Sequence, residues 1–130
     1  MGPTTATPLP SYLYKIHEKD PSDNQACLNT ISDFDRQSGF IHLATAIQVV
    51  TVAARFFGKH NRLFISKIPF ERLEQEIRWE RADGEVFPHL YNDNLERALP
   101  TDSELILWER KDHQTWNSAC DQEMKKIMEY

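Results

Sequence analysis

The chain has little of what marks a stapled, metal-clipped or membrane-bound protein. Its only two cysteines, Cys27 and Cys120, are too few and too far apart for a disulfide framework or a CxxC knuckle, and both read as free thiols in a reducing compartment. No stretch approaches the ~18 apolar residues of a membrane span. The N-terminus lacks a basic segment followed by an apolar run, so the expectation is a cytoplasmic protein with no membrane partner. Basic charge is also short. Fifteen Lys and Arg against 20 Asp and Glu give a net charge of −5, which weighs against nonspecific wrapping of nucleic acid. No GxGxxG, P-loop, GxSxG or CxxC motif is present.

What is present is one ordinary globule: 130 residues, 40% apolar and 27% charged, enough for one core and too small for two. Residues 1–11 carry three prolines and little to bury, and read as a flexible arm. Residues 12–111 form the domain, and 112–130 read as an amphipathic helix docked on it, with Trp116, Cys120, Met124 and Ile127 at helical spacing. YLYKIHE alternates as a strand that puts Lys15 and His17 on one face with Leu13. ACLNTISDFD is too irregular to assign. GFIHL reads as a strand, and Thr45 and Gln48 form a T-x-x-Q box opening a largely buried helix over 46–57 that Gly58 stops. RLFISKI, IRWER and SELILWER read as further strands, PFERLEQ as a turn of helix and ADGE as a turn. In VFPHLY, Pro88 cannot donate to a ladder, which predicts an edge or bulged strand with Phe87, His89 and Tyr91 on one side.

Chemistry concentrates on few residues. His42 stands close before a helix start, and its bland reading is a core histidine bonded to a carbonyl. His89, beside a ladder-breaking proline and sharing a face with Tyr91, is the stronger candidate for acid or base. Glu80, next to Trp79, is a possible base or ribose ligand, with a solvated strand end as the alternative. Arg36, Arg55, Arg78 and Arg81 are candidates for phosphate contacts. A metal set can be written from His17, His42, Glu80 and His89, but no pair has ligand-motif spacing, so no metal is expected.

YKI near the start, D-x-x-x-GFIHLAT, the A-A-R-F-F helix end, R-W-E and FPHLY occur in an order and spacing that resemble the domain of unknown function 952 family. That family is in turn similar, remotely, to the ADP-ribosyltransferases. The nearest echo lies with RNA 2'-phosphotransferases, whose H-V-H-L-S looks like F-I-H-L-A-T. The resemblance implies an α+β fold in which two small, mostly antiparallel sheets form a cleft for NAD or a related nucleotide, with the Thr45 helix behind it. On it, His42 and Thr45 orient diphosphate or ribose, His89 acts as acid or base, and Tyr91 and Trp79 form a stacking wall. Lys15, His17 and Glu80 complete the binding set. Lys15 departs from the superfamily's histidine or arginine on the first strand, and FPHLY stands where others place a catalytic glutamate. The function this resemblance implies is a small cytoplasmic enzyme, an ADP-ribosyltransferase-like transferase acting on NAD or a related nucleotide. Two other functions fit the same residues: a histidine acid/base isomerase or cyclase acting on a small metabolite, and a nucleotide-binding module without turnover.

Overall fold

The computed structural model describes residues 9–18, 31–82, 84–100, 103–111 and 115–116. Among the described residues six strands form two three-stranded antiparallel sheets: β1 (Tyr12–His17), β3 (Arg62–Pro69) and β6 (Glu104–Glu109) in the order β1-β3-β6, and β2 (Ile41–His42), β4 (Ile77–Ala82) and β5 (Glu85–Leu90) in the order β2-β5-β4. The fold is therefore α+β with two small antiparallel sheets. A bridge just past β2 ties the first sheet to the chain leaving the second, where Tyr14 and Ala44 exchange backbone hydrogen bonds of 2.8 and 2.9 Å.

Period-two alternation decides which face each strand buries. In the first sheet, Tyr14, Ile16, Leu63, Ile65, Ile106 and Trp108 pack with Val49 and Ala53 of the helix α2 (Ala46–Phe56). Leu13 and Ile68, on the opposite face, pack with Ile41 and Leu90 of the second sheet and with Leu43 just past β2. The space between the sheets is thus filled by side chains. Among the described residues, five branched aliphatics meet where the resemblance implies a cleft.

Three local expectations also change. The Thr45 helix ends one residue early, with Phe57 as its cap, and is not largely buried: Ile47 is 77% and Phe56 58% exposed, because the described fold covers only the side facing the first sheet. PFERLEQ forms two successive 3-10 turns, Phe70–Arg72 and Glu74–Glu76, in place of one helical turn.

The third correction concerns Pro88. β5 is the central strand of its sheet and stays in unbroken register with β4. A strand residue's N–H and C=O point to the same side, and the Pro88 carbonyl accepts from Leu43 N at 3.2 Å, so the missing donor faces β2. The ladder stops there, which is why β2 ends at His42; at its start GFIHL loses Gly39, the cap of the preceding helix at φ 84°, and Phe40.

The segment without an expected structure supplies a helix, α1 (Asp33–Ser38). Ser32 caps it, its Oγ accepting from Asp35 N at 3.1 Å while Asp35 Oδ2 accepts from Ser32 N at 3.3 Å. Gly39 ends it at φ 84°, a left-handed conformation suited to glycine. At the other terminus Trp116 is buried, donating its indole N–H to the Phe57 carbonyl at 2.9 Å. The expected helix beyond it, like the arm before Leu9, lies outside the described residues.

Candidate functional site

β2 and β5 place His42 directly opposite His89. If Leu43 and Pro88 form the hydrogen-bonding pair, His42 and His89 form the intervening narrow pair, where side chains on the same face approach most closely. Their ring centroids are 5.4 Å apart, edge to face. They project from the face of the second sheet opposite Ile41 and Leu90, away from the inter-sheet core.

Each imidazole has its own carboxylate. His42 Nδ1 lies 2.7 Å from Asp35 Oδ1, and His89 Nδ1 lies 2.7 Å from Glu80 Oε1. Asp35 is completely buried. Burial alone would raise its carboxyl, but the hydrogen bond from the His42 ring, the charge and hydrogen bond of Lys15 and the His42 backbone N–H outweigh it and hold the group far below the usual carboxylate range. Lys15 Nζ donates to Asp35 Oδ2 at 2.6 Å and to the His42 carbonyl at 3.2 Å. Burial pulls the Lys15 ammonium down from its ordinary value more strongly than Asp35 pushes it up.

Glu80 is more open. Hydrogen bonds from His89 and then from Tyr91, whose hydroxyl donates at 2.7 Å, hold its carboxyl below the ordinary value. The same bond, with partial desolvation, raises the Tyr91 phenol. Since both carboxylates are ionised at neutral pH and can only accept, each Nδ1 is the donor, which leaves Nε2 as the ring atom that can exchange a proton with a ligand. Neither Nε2 has a hydrogen-bond partner among the described residues.

Aromatic rings frame the pair. Phe34, on the outer face of α1 and 58% exposed, stacks on His42 with centroids 4.2 Å apart. Phe40, directed by the turn at Gly39, touches His42, His89 and Tyr91 at 4.6, 4.2 and 5.1 Å. Arg78, opposite His89 across β4 and β5, lies over the Tyr91 ring at 4.5 Å. Beside them a depression of ≈ 480 Å³ is lined by Gly39, Glu76, Arg78, Tyr91, Asn92 and Asp93.

The structure therefore brings together His42, His89, Glu80, Tyr91 and, beneath them, Lys15. It separates three others. Trp79 alternates to the opposite face of β4, with its ring centroid 6.1 Å from that of Phe70. His17 is buried on β1, where its Nε2 pairs with Ser66 Oγ at 2.9 Å. Thr45 sits at the far end of β5: its N–H donates to Gln48 Oε1 at 3.1 Å, and Gln48 in turn donates to the Val86 carbonyl at 2.8 Å. Of the arginines, Arg36 is held by Asp33 and Glu96, Arg55 lies in the last turn of α2, and Arg81 shares the face of Trp79. Among the described residues no three His, Cys, Asp or Glu side chains converge as a metal site.

Asp35 is the residue that sequence reasoning left without a role, although it begins the D-x-x-x-GFIHLAT motif. Its signal was the S-x-x-D box at Ser32, which reads as a helix start and thereby fixes the carboxylate one helical turn before a glycine stop.

No curated protein matches the chain. Two solved structures do, both of protein CC0527 from Caulobacter crescentus. One is 29% identical and covers 62% of this chain and 74% of its own at a TM-score of 0.52. The other, a double mutant with two added methionines, is 28% identical with the same coverage and TM-score. The likeness extends to the fold, and the family described as "Protein of unknown function (DUF952)" matches residues 15–103, more than half of the sequence. The chain belongs to that family.

Proposed function

We propose that the protein is an acid/base enzyme that isomerises or cyclises a small polar metabolite at the His42–His89 pair. The observation that carries this reading is the doubled arrangement: two imidazoles on one sheet face, 5.4 Å apart, each bonded through Nδ1 to its own carboxylate at 2.7 Å. A carboxylate behind a histidine fixes its tautomer and stabilises the imidazolium formed when Nε2 takes a proton. One imidazole removes a proton from the substrate while the other, entering as imidazolium, returns one. The proton count is unchanged, and the pair ends with its roles exchanged. Asp35 and Glu80 are positioning residues, acting through the rings. Each acid/base group of this kind contributes about 10²- to 10⁴-fold.

The nucleotide reading draws on resemblance rather than on this geometry. Its Thr45 and Trp79 lie away from the histidines, the Lys15 ammonium is engaged by Asp35, and the inter-sheet space is packed. The discriminating experiment is a thermal-shift screen of small metabolites alongside NAD and AMP, followed by single-turnover measurements on His42→Gln and His89→Gln. The proposal expects stabilisation by a small polar compound, and glutamine variants that bind it but convert it at least 10²-fold more slowly. Stabilisation by NAD alone restores the ribosyltransferase reading. Turnover unchanged in both folded variants ends the catalytic one, and binding without turnover in any of the proteins leaves a ligand-binding module.

A further inference from the structure

We infer that the depression beside the pair holds the charged end of an amino-acid-sized zwitterion, Arg78 taking its carboxylate and Asp93 with Glu76 its ammonium. This deepens the acid/base reading and rests on it for the fate of the bound molecule, though not for binding itself. The space of ≈ 480 Å³ is of small-ligand size and opens directly onto the site, since Tyr91 lines it and also donates to Glu80.

Its polar groups have unused capacity. Arg78 is exposed and steered by its contact with the Tyr91 ring, and its guanidinium has no carboxylate partner within ion-pair distance among the described residues. Its planar fork matches a carboxylate. The Asp93 carboxylate is likewise unpartnered among the described residues. Glu76 commits one oxygen, Oε2, to Asn92 Nδ2 at 2.6 Å and keeps the other. Asn92 is itself spoken for, its Oδ1 accepting from Asn94 N at 2.7 Å.

The charge balance selects the ligand. One guanidinium faces two carboxylates, with Glu80 beyond them. A multiply charged anion such as phosphate meets Arg78 but is repelled by the rest, whereas a simple amine satisfies the carboxylates and leaves Arg78 unmatched. A molecule carrying both charges a few ångströms apart satisfies each group. Because Arg78 stands opposite His89 in the register, a carboxylate on its guanidinium brings the ligand's neighbouring atoms beside that imidazole.

The test is a titration of the ¹⁵N-labelled full chain with a panel of L-amino acids, with inorganic phosphate, and with the des-amino acid and the decarboxylated amine of the tightest binder. The expected result is saturable shifts at Gly39 and Asn92 with an amino acid, and binding about tenfold weaker or worse for each single-charge analogue. Arg78→Gln and Asp93→Asn should weaken the amino acid comparably while the rest of the spectrum shows an intact fold. Phosphate binding that depends on Arg78 and tightens in Asp93→Asn overturns the inference, as does the absence of shifts at Gly39 and Asn92 with every amino acid. His89→Gln separates the two proposals. Wild-type binding with lost turnover supports both. Binding with no turnover in any protein ends the acid/base reading and leaves the subsite, and turnover of a ligand that never contacts the depression does the reverse.

Discussion

Replacing Asp35 by Asn keeps the shape of the side chain and removes its charge. Four groups lose by it: the Lys15 ammonium at 2.6 Å, the His42 ring at 2.7 Å, the His42 backbone N–H at 3.0 Å and the Ser32 backbone N–H at 3.3 Å. Both members of the ion pair are buried, so Lys15 is left either as an unpaired charge out of water or as an amine forced to give up its proton. Breaking such a pair from one side costs about 3–5 kcal/mol, whereas an exposed pair is worth about 0–1. Against a total stability of about 5–15 kcal/mol this is a large fraction. At about 4 °C per kcal/mol it should lower Tm by roughly 12–20 °C. Urea unfolding followed by tryptophan fluorescence measures it, and Lys15→Met in the Asp35→Asn background should recover part of the loss by removing the orphaned charge. A loss under ~1 kcal/mol would refute the argument, because it would mean water reaches the pair. Acid supplies an independent check. The native Asp35 carboxyl is harder to protonate than the unfolded one, so its contribution is complete above the unfolded value of about 3.9 and shrinks as pH falls through it toward the lower native value. Asp35→Asn should lack that component, and its stability should fall less steeply than the wild type's below about pH 5.

Gly39→Ala meets nothing within 4 Å but must hold φ 84°, so it should cost about 1–2 kcal/mol in urea unfolding, with Asn tolerated better; a loss near zero would mean the turn relaxes. Pro88→Val returns the donor that faces β2, and hydrogen exchange should find a protected amide at position 88; a fast-exchanging one would refute the account of why β2 stops. Tyr91→Phe should remove from the ultraviolet titration a phenol that ionises above the ordinary value of about 10, the Glu80 carboxylate opposing its ionisation. Loss of an ordinary phenol instead would mean that the hydrogen bond is absent in solution.

The strands were legible because each carries its own alternation: YLYKIHE, RLFISKI, IRWER and SELILWER became β1, β3, β4 and β6, and T-x-x-Q opened α2 where the capping pattern places it. Less legible was anything depending on which strand became whose neighbour. Pro88 correctly signals a broken ladder, but a missing N–H points to one side only, and local sequence does not say whether that side meets solvent or a strand ending there. Trp79 illustrates the same limit. Adjacent to Glu80 in sequence, it is across the sheet from it in space, since one residue along a strand reverses the face. The largest gap was Asp35. Its meaning comes from Lys15, 20 residues earlier, and His42, seven later, and each side chain alone has an ordinary reading: strand lysine, helix-start aspartate, core histidine. Only where the chain passes from α1 through the Gly39 turn onto β2, beside β1, do an ammonium, a carboxylate and an imidazole share one buried position. Removing water from the carboxylate is costly unless it is paired. The demand that buries Asp35 is thus the one that aligns His42, so fold stability and ring orientation depend on one residue.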